Sequence, residues 1–535
     1  MNALLLVLFA IGVHLGATAA FVPTTTKWTT ANNANTAQVK SRLFAIATSS
    51  NATTTTTPAS AFDVLWQADP TVDAPLPPPY TECPFTGIMA GPKSFYRQAS
   101  EALNAPTVFS FLHKNQPVVE VRGGKVVREV LRQEFTTLSS NAVAGISQIV
   151  CGTESIRTVR DRDEHKALRQ LLGVPLAPAA VEKSIPRLEA IGRARIQERI
   201  DHIGENQVIK AADIAEAMAL DVIWQQILGL DLKTPLEIAT FHKNTHIWLR
   251  GMYHKEGSPQ LDACLQAKEY LRDAIDDKIN TLLEAGESDG STVGGFVFAT
   301  MDDVEDASGA HQDRILSRQE VIDNSLVMLL AGTETTSTNV ANALLLMGLH
   351  PDVWQAVIEE QEAIVAQHGD QLTPQVLEAF PYLDAVIQEI MRILPLTLVS
   401  KRVTEETIVV GGIQIPKGWP VSYNIYLTHQ HDESMGEGHM DLLKGFRPDR
   451  WLNSETRPGK DYIPFGVGPR QCPGAFLALT EMKVFVSLLA REMPRFELMD
   501  MDYDPGLPIE QQIRWNKVSA MITPEDGVRI RVLPK

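Results

Sequence analysis

Pro464-Phe465-Gly466-Val467-Gly468-Pro469-Arg470-Gln471-Cys472-Pro473-Gly474 places one cysteine in a glycine-bordered loop, directly ahead of an apolar helical run, Ala475–Arg491. A cysteine there feels the positive end of the helix dipole, which favours the thiolate over the thiol. The glycines let backbone amides approach the sulfur, and such contacts tune a soft metal ligand. A lone cysteine is more often a small buried hydrophobe. The spacing Phe-Gly-x-Gly-x-Arg-x-Cys-x-Gly, continued by Ala478 and Glu481, is too specific for that reading.

Working outward, the 535 residues are 44% hydrophobic, ample for a large core, and no internal repeat signals a solenoid. The formal net charge of −17 argues against nucleic-acid binding. Cys83, Cys151, Cys264 and Cys472 are scattered without a Cys-x-x-Cys pair, which argues against zinc, an iron–sulfur cluster or a disulfide scaffold. From about Pro75 the chain reads as one unit. Strand character occurs at 117–122, 407–410 and 413–415. From Val126 to about Met391 the pattern is mostly helical, broken by an acidic loop at 286–309. The fold class is α+β, helix-dominated.

The cysteine loop resembles the haem-ligand loop of the cytochrome P-450 superfamily. The resemblance covers about residues 75–535 and implies that fold, with haem b between a long oxygen-activation helix and the cysteine-loop helix. It makes Cys472 the axial thiolate, the ligand that promotes O–O cleavage. Val321–His350 reads as a long helix with a polar middle, Ala331-Gly332-Thr333-Glu334-Thr335-Thr336-Ser337. As a membrane span it would hold a carboxylate and several hydroxyls in hydrocarbon, which is costly. The block resembles the family's oxygen-activation segment. Small Ala331 and Gly332 would let the helix pass close over a flat macrocycle, with Thr335 in oxygen activation and Glu334 in proton delivery.

Glu389-Ile390-Met391-Arg392 puts an acid and a base on one helical face. Alone, such a pair is usually a solvated surface bridge. It precedes Phe446-Arg447-Pro448-Asp449-Arg450-Trp451, and the succession resembles the family's Glu-Arg-Arg triad of Glu389, Arg392 and Arg450. The haem propionates need cationic partners. By the resemblance these are His165 and Arg169, spaced i, i+4, with Arg470 and Arg402; Phe465 belongs to the same cofactor-binding loop. Basic Arg157, Arg160, Arg162 and Lys166 are interleaved with acids, most simply a solvated face. In the family that helix borders the surface where electron donors dock.

The implied function is a haem-thiolate monooxygenase, using O2 and a separate electron donor, ferredoxin or flavoprotein reductase. No dinucleotide fingerprint occurs in the chain itself. The segments 380–384 and 416–423 look most like the branch oxidising retinoids and related isoprenoids. This points to hydroxylation, or successive oxidations to a carboxylate, of a lipophilic terpenoid-derived substrate in specialised metabolism. The Phe241–Lys255 region falls where relatives place a lid, although an amphipathic helix end is the simpler reading. Two alternatives stay open: a haem-thiolate isomerase or lyase acting on peroxides, and a non-catalytic haem sensor. The intact Glu334-Thr335 pair argues against both.

The N-terminus reads separately. Residues 1–20 carry an apolar run ending in small residues, which fits a secretory signal peptide, with an uncleaved membrane anchor as the alternative. Residues 21–62 contain no Asp or Glu and are rich in Thr, Ser, Ala and Asn, a transit-like composition. The junction Ala20-Phe21-Val22-Pro23 resembles bipartite presequences for complex algal plastids. The expected location is therefore a plastid reached by the secretory route. With an anchor it is instead the endoplasmic reticulum membrane, with Pro75–Pro79 as candidate hinge.

Overall fold

The computed structural model describes residues 66–81, 92–113, 116–139, 146–201, 208–254, 257–304, 314–396, 399–499, 512–515 and 524–533. The expectations for residues 1–20 and 21–62, and for Cys83, lie outside the described residues. Ala61–Lys535 forms one compact unit.

Strands β1 (Pro79–Tyr80), β2 (Val108–His113), β3 (Gln116–Val121), β4 (Leu138–Ser139), β6 (Val399–Thr404) and β9 (Pro420–Asn424) build one sheet in the order β1-β2-β3-β9-β6-β4. β5 (Val208–Lys210), β10 (Phe496–Leu498) and β11 (Arg529–Val532) form a second. β7 (Ile408–Val410) and β8 (Ile413–Ile415) form a hairpin. Its turn uses Gly411 and Gly412, both at positive φ, 57° and 79°, where a Cβ is costly.

The rest is a helical body. The helices that position the site are α1 (Gly124–Leu131), α2 (Arg162–Gly173), α3 (Ile185–Asp201), α4 (Ala211–Val222), α5 (Pro235–Leu249), α6 (Pro259–Ala285), α7 (Arg318–Leu349), α8 (Pro381–Ile393) and α9 (Ala475–Glu492). Their starts follow local chemistry. Asp161 caps α2 by accepting from the Asp163 and Glu164 amides. Ser317 and Glu320 form a reciprocal capping box on α7, and Gly286 ends α6 in the left-handed region. α7 packs on α4 and α9, and α3 packs on both of these. Among the described residues no helix is long and apolar enough to cross a membrane.

Two boundaries differ from expectation. The 286–309 stretch is not all loop: Ser291 caps a short helix, Thr292–Phe298, whose Phe296 enters the core. The packed unit also starts before Pro75. Trp66 meets Trp419 edge-on at 5.5 Å and donates to Ser110, and Asp69 is tied to Gln414 and Thr407. The proline run 75–79 is docked as well. The Pro75 carbonyl accepts from the Gln414 amide and the Pro78 carbonyl from the Ser110 amide, both at 2.9 Å.

Candidate active site

The cysteine loop is held by its own backbone. The Gly466 amide donates to the Ile463 carbonyl (2.9 Å), that of Gln471 to Gly468 (3.0 Å) and that of Cys472 to Phe465 (3.0 Å). Gly466 and Gly468 sit at φ of 70° and 83°, and a Cβ on Gly468 would press on Leu131 at 3.2 Å. Phe465 thus anchors the cysteine through its carbonyl. Cys472 is an exposed residue. Desolvation by the packed protein pushes its thiol above its ordinary pKa, against the Gly474 amide and the Arg169 charge, which both pull it down. The amide at the helix end thus acts in the expected direction, towards the thiolate, against that desolvation. A coordinated metal ion deprotonates a thiol outright.

α8 anchors this loop. Glu389 is wholly buried and takes Arg392 on both oxygens at 2.8 and 2.9 Å. The Arg450 guanidinium donates to it at 3.0 Å. Burial alone would raise the Glu389 carboxyl, but Arg392 and then Arg450 outweigh it and hold it below its ordinary value. The structure thus brings Glu389, Arg392 and Arg450 together. It adds donors that the pattern did not reveal: the Trp451 indole (2.9 Å) and the Arg447 amide (2.8 Å). His429 was also missed. Its Nε2 accepts from the Ile463 amide at 3.0 Å, and its Nδ1 meets the Arg392 carbonyl at 2.8 Å. Burial pushes its pKa down to about 4, so a neutral imidazole bolts α8 to the start of the cysteine loop.

Cations gather on the other side of the loop. Arg169, on α2, donates to the Gln471 carbonyl at 2.7 Å. Arg470 donates to the Ile156 and Val159 carbonyls at 2.9 and 2.6 Å. Arg470 and Arg402 also share the buried carboxylate of Glu134, one on each oxygen, the Arg470 contact at 2.8 Å. His165 is buried, and burial followed by the charges of Arg470 and Arg169 pushes it down to about 4, so it is neutral. In place of the expected cation, His165 is thus a neutral ring tilted against Phe135, their centroids 4.8 Å apart.

On α7, Ala331 is exposed and Thr335 partly so, while Thr333 and Thr336 are buried. The Thr335 hydroxyl donates to the Ala331 carbonyl at 2.5 Å. Burial, then the Glu216 charge, raises the Glu334 carboxyl above its ordinary value, so it keeps a proton to higher pH than a free glutamate. Gly332 also has a packing role. A Cβ there would stand 3.0 Å from Ile223, so its smallness lets the end of α4 approach. Of the two readings of the Phe241–Lys255 region, α5 agrees with the simpler one, an amphipathic helix end. Phe241 and Trp248 of α5 point into the core, with the Trp248 indole on the Val150 carbonyl at 3.1 Å, and His246 faces Glu216 at 3.4 Å. The apolar spacing of α5 serves packing.

The sequence profile of the family described as Cytochrome P450 matches residues 77–523. The chain belongs to the cytochrome P450 family. Cytochromes P450 are haem-thiolate monooxygenases, and the cofactor is haem with an axial cysteine thiolate. A putative cytochrome P450 120 from Synechocystis is 24% identical over 72% of this chain and 80% of its own. The putative cytochrome P450 cyp-13B1 from Caenorhabditis elegans is 29% identical over 43% of each chain. The solved structure of retinoic acid bound cyanobacterial CYP120A1 has the same fold, with a TM-score of 0.68 and 22% identity, covering 86% of this chain and all of that one. The residues present fit haem. An exposed cysteine, the guanidiniums of Arg169, Arg402 and Arg470 with the single Glu134 carboxylate, and an open Ala331–Thr335 face supply a soft ligand, propionate partners and a surface without bulk.

Proposed function

We propose that this cytochrome P450 oxidises a lipophilic isoprenoid at an activated C–H bond, with Cys472 as the axial ligand. The observation that carries the assignment is the exposed Cys472, its sulfur bonded by the Gly474 amide and within reach of the Arg169 charge. Bound haem supplies the activation of O2. Arg169, Arg402 and Arg470 hold the propionates, with His165 beside them. Burial and the Glu216 charge let Glu334 keep its proton to higher pH than a free glutamate, and the Thr335 hydroxyl, turned from the Ala331 carbonyl, presents its proton to the open face. Glu389, Arg392 and Arg450 keep the cysteine loop fixed.

The isoprenoid class rests on the retinoic acid in the fold neighbour and on the segments 380–384 and 416–423. A role in specialised metabolism and a plastid location go with this reading; an endoplasmic reticulum anchor is the alternative. Electrons come from a separate protein. Exposed Arg160, Arg162 and Lys166 on and before α2 suit an acidic donor. A groove of about 650 Å³ flanked by Leu452 and Phe476 offers apolar contact beside α9. The test is turnover of purified protein with ferredoxin and its reductase, or with a flavoprotein reductase, against retinoids, terpenoids and fatty acids. Hydroxylated isoprenoid is expected. Oxidation of fatty acids alone would reject the substrate class, and peroxide rearrangement without a donor would establish the lyase reading.

A further inference from the structure

We propose that Glu134 is a positioning residue for the haem pocket, holding Arg402 and Arg470 and setting the charge that the propionates meet. This rests on the assignment of those arginines to the propionates. Three observations carry it. Glu134 is 3% exposed, and each of its oxygens takes the Nε of a different arginine. An arginine held through Nε has its direction fixed.

The turn that delivers Glu134 is strained. Phe135 adopts φ 69°, a region that a bulky residue enters only when its surroundings impose it. The Phe135 amide bonds to the Leu138 carbonyl at 3.1 Å, and its ring lies 4.6 Å from the Arg470 guanidinium carbon. Carboxylate and ring, adjacent in sequence, therefore grip the same arginine by charge and by its π face.

Charge gives the third observation. Arg169, Arg402 and Arg470 against Glu134 leave two positive charges, with His165 neutral. Two propionates neutralise that excess. Without Glu134 the pocket would retain an uncompensated buried cation.

Glu134→Gln preserves the shape and removes the charge. The haem-loaded variant should keep the thiolate carbon monoxide band while its ferric–ferrous reduction potential rises, since a lost anion favours the state carrying the added electron. Glu134→Asp keeps the charge but shortens the reach. Its potential should match the parent's while haem transfer to apomyoglobin accelerates several-fold. A Glu134→Gln potential equal to the parent's overturns the proposal. If that variant does not fold, the charge-balanced pair Glu134→Gln with Arg402→Gln carries the test. Its potential should return to the parent's, and one displaced as far as in Arg402→Gln alone overturns the idea. Arg402→Gln and Arg470→Gln separate this inference from the reading beneath it. If both hold haem as tightly as the parent, the propionate assignment falls and takes the inference with it. If both lose haem while Glu134→Gln leaves the potential unmoved, only the role of Glu134 falls.

Discussion

The Thr336 hydroxyl donates to a Glu481 carboxylate oxygen at 2.5 Å, inside the protein, joining α7 to the helix that Cys472 precedes. This bond pulls against a burial that pushes Glu481 up to about 7. The folded chain therefore keeps this proton where the unfolded chain has released it, near 4.5. Stability from this group is full below about 4.5 and is lost as pH rises to about 7, at up to about 1.4 kcal/mol per unit. Glu481→Gln should flatten that decline. Thermal melts at pH 5 and pH 8 decide it, and equal declines in parent and variant would contradict a shared proton.

Cys472→Ser should abolish the red-shifted carbon monoxide band of thiolate ligation. Cys151 and Cys264 are buried, and Cys151→Ala and Cys264→Ala should each leave the band in place, as should Cys83→Ser. Difference spectra of dithionite-reduced protein with and without carbon monoxide read all four. A band that survives Cys472→Ser would move the ligand elsewhere.

Thr335→Ala should keep haem and substrate binding but divert electrons to peroxide and water, lowering coupling several-fold. The alcohol matters only after oxygen enters. Product formed per electron consumed is the measurement, and unchanged coupling would remove Thr335 from proton delivery.

Glu389→Ala strands two buried guanidiniums, at a cost of about 3–5 kcal/mol. Little haem-loaded protein should accumulate. Trp451→Phe removes one donor to the same carboxylate and should cost only about 1 kcal/mol. Melting temperatures of haem-loaded protein rank the two, and a Glu389→Ala variant as stable as Trp451→Phe would disprove the anchor.

A fusion of residues 1–62 to a fluorescent protein should accumulate in the plastid of an alga with complex plastids. Deleting Leu4–Ile11 should leave it in the cytosol, and Phe21→Ala should stall it before import. Mature protein that retains residues 1–20 and sediments with reticulum membranes would establish the anchor, with a flavoprotein reductase as donor.

Much of the site was legible because backbone geometry dictated residue type. Gly466 and Gly468 must be glycines at their positive φ, and the cysteine falls at a fixed offset from them. Glu389, Arg392 and Arg450 were readable from their order along the chain. Glu134 was not, since its partners Arg402 and Arg470 lie 268 and 336 residues away and no local pattern marks it. His429 was hidden for the same reason. The neutral state of His165 depends on burial and on neighbouring arginines, which one helical turn of sequence does not display. The aromatic spacing of α5 fitted a helix end more simply than a lid, and packing of Phe241 and Trp248 into the core agrees with it.

The docking of Trp66 and Asp69 sets a limit on maturation. Any peptidase trimming the chain has to stop upstream of Trp66, because a cut beyond it would uncover the Trp419 face and deprive Ser110, Thr407 and Gln414 of their partners. The same limit governs truncation for crystallisation or reporter fusion: a new start codon belongs before that tryptophan.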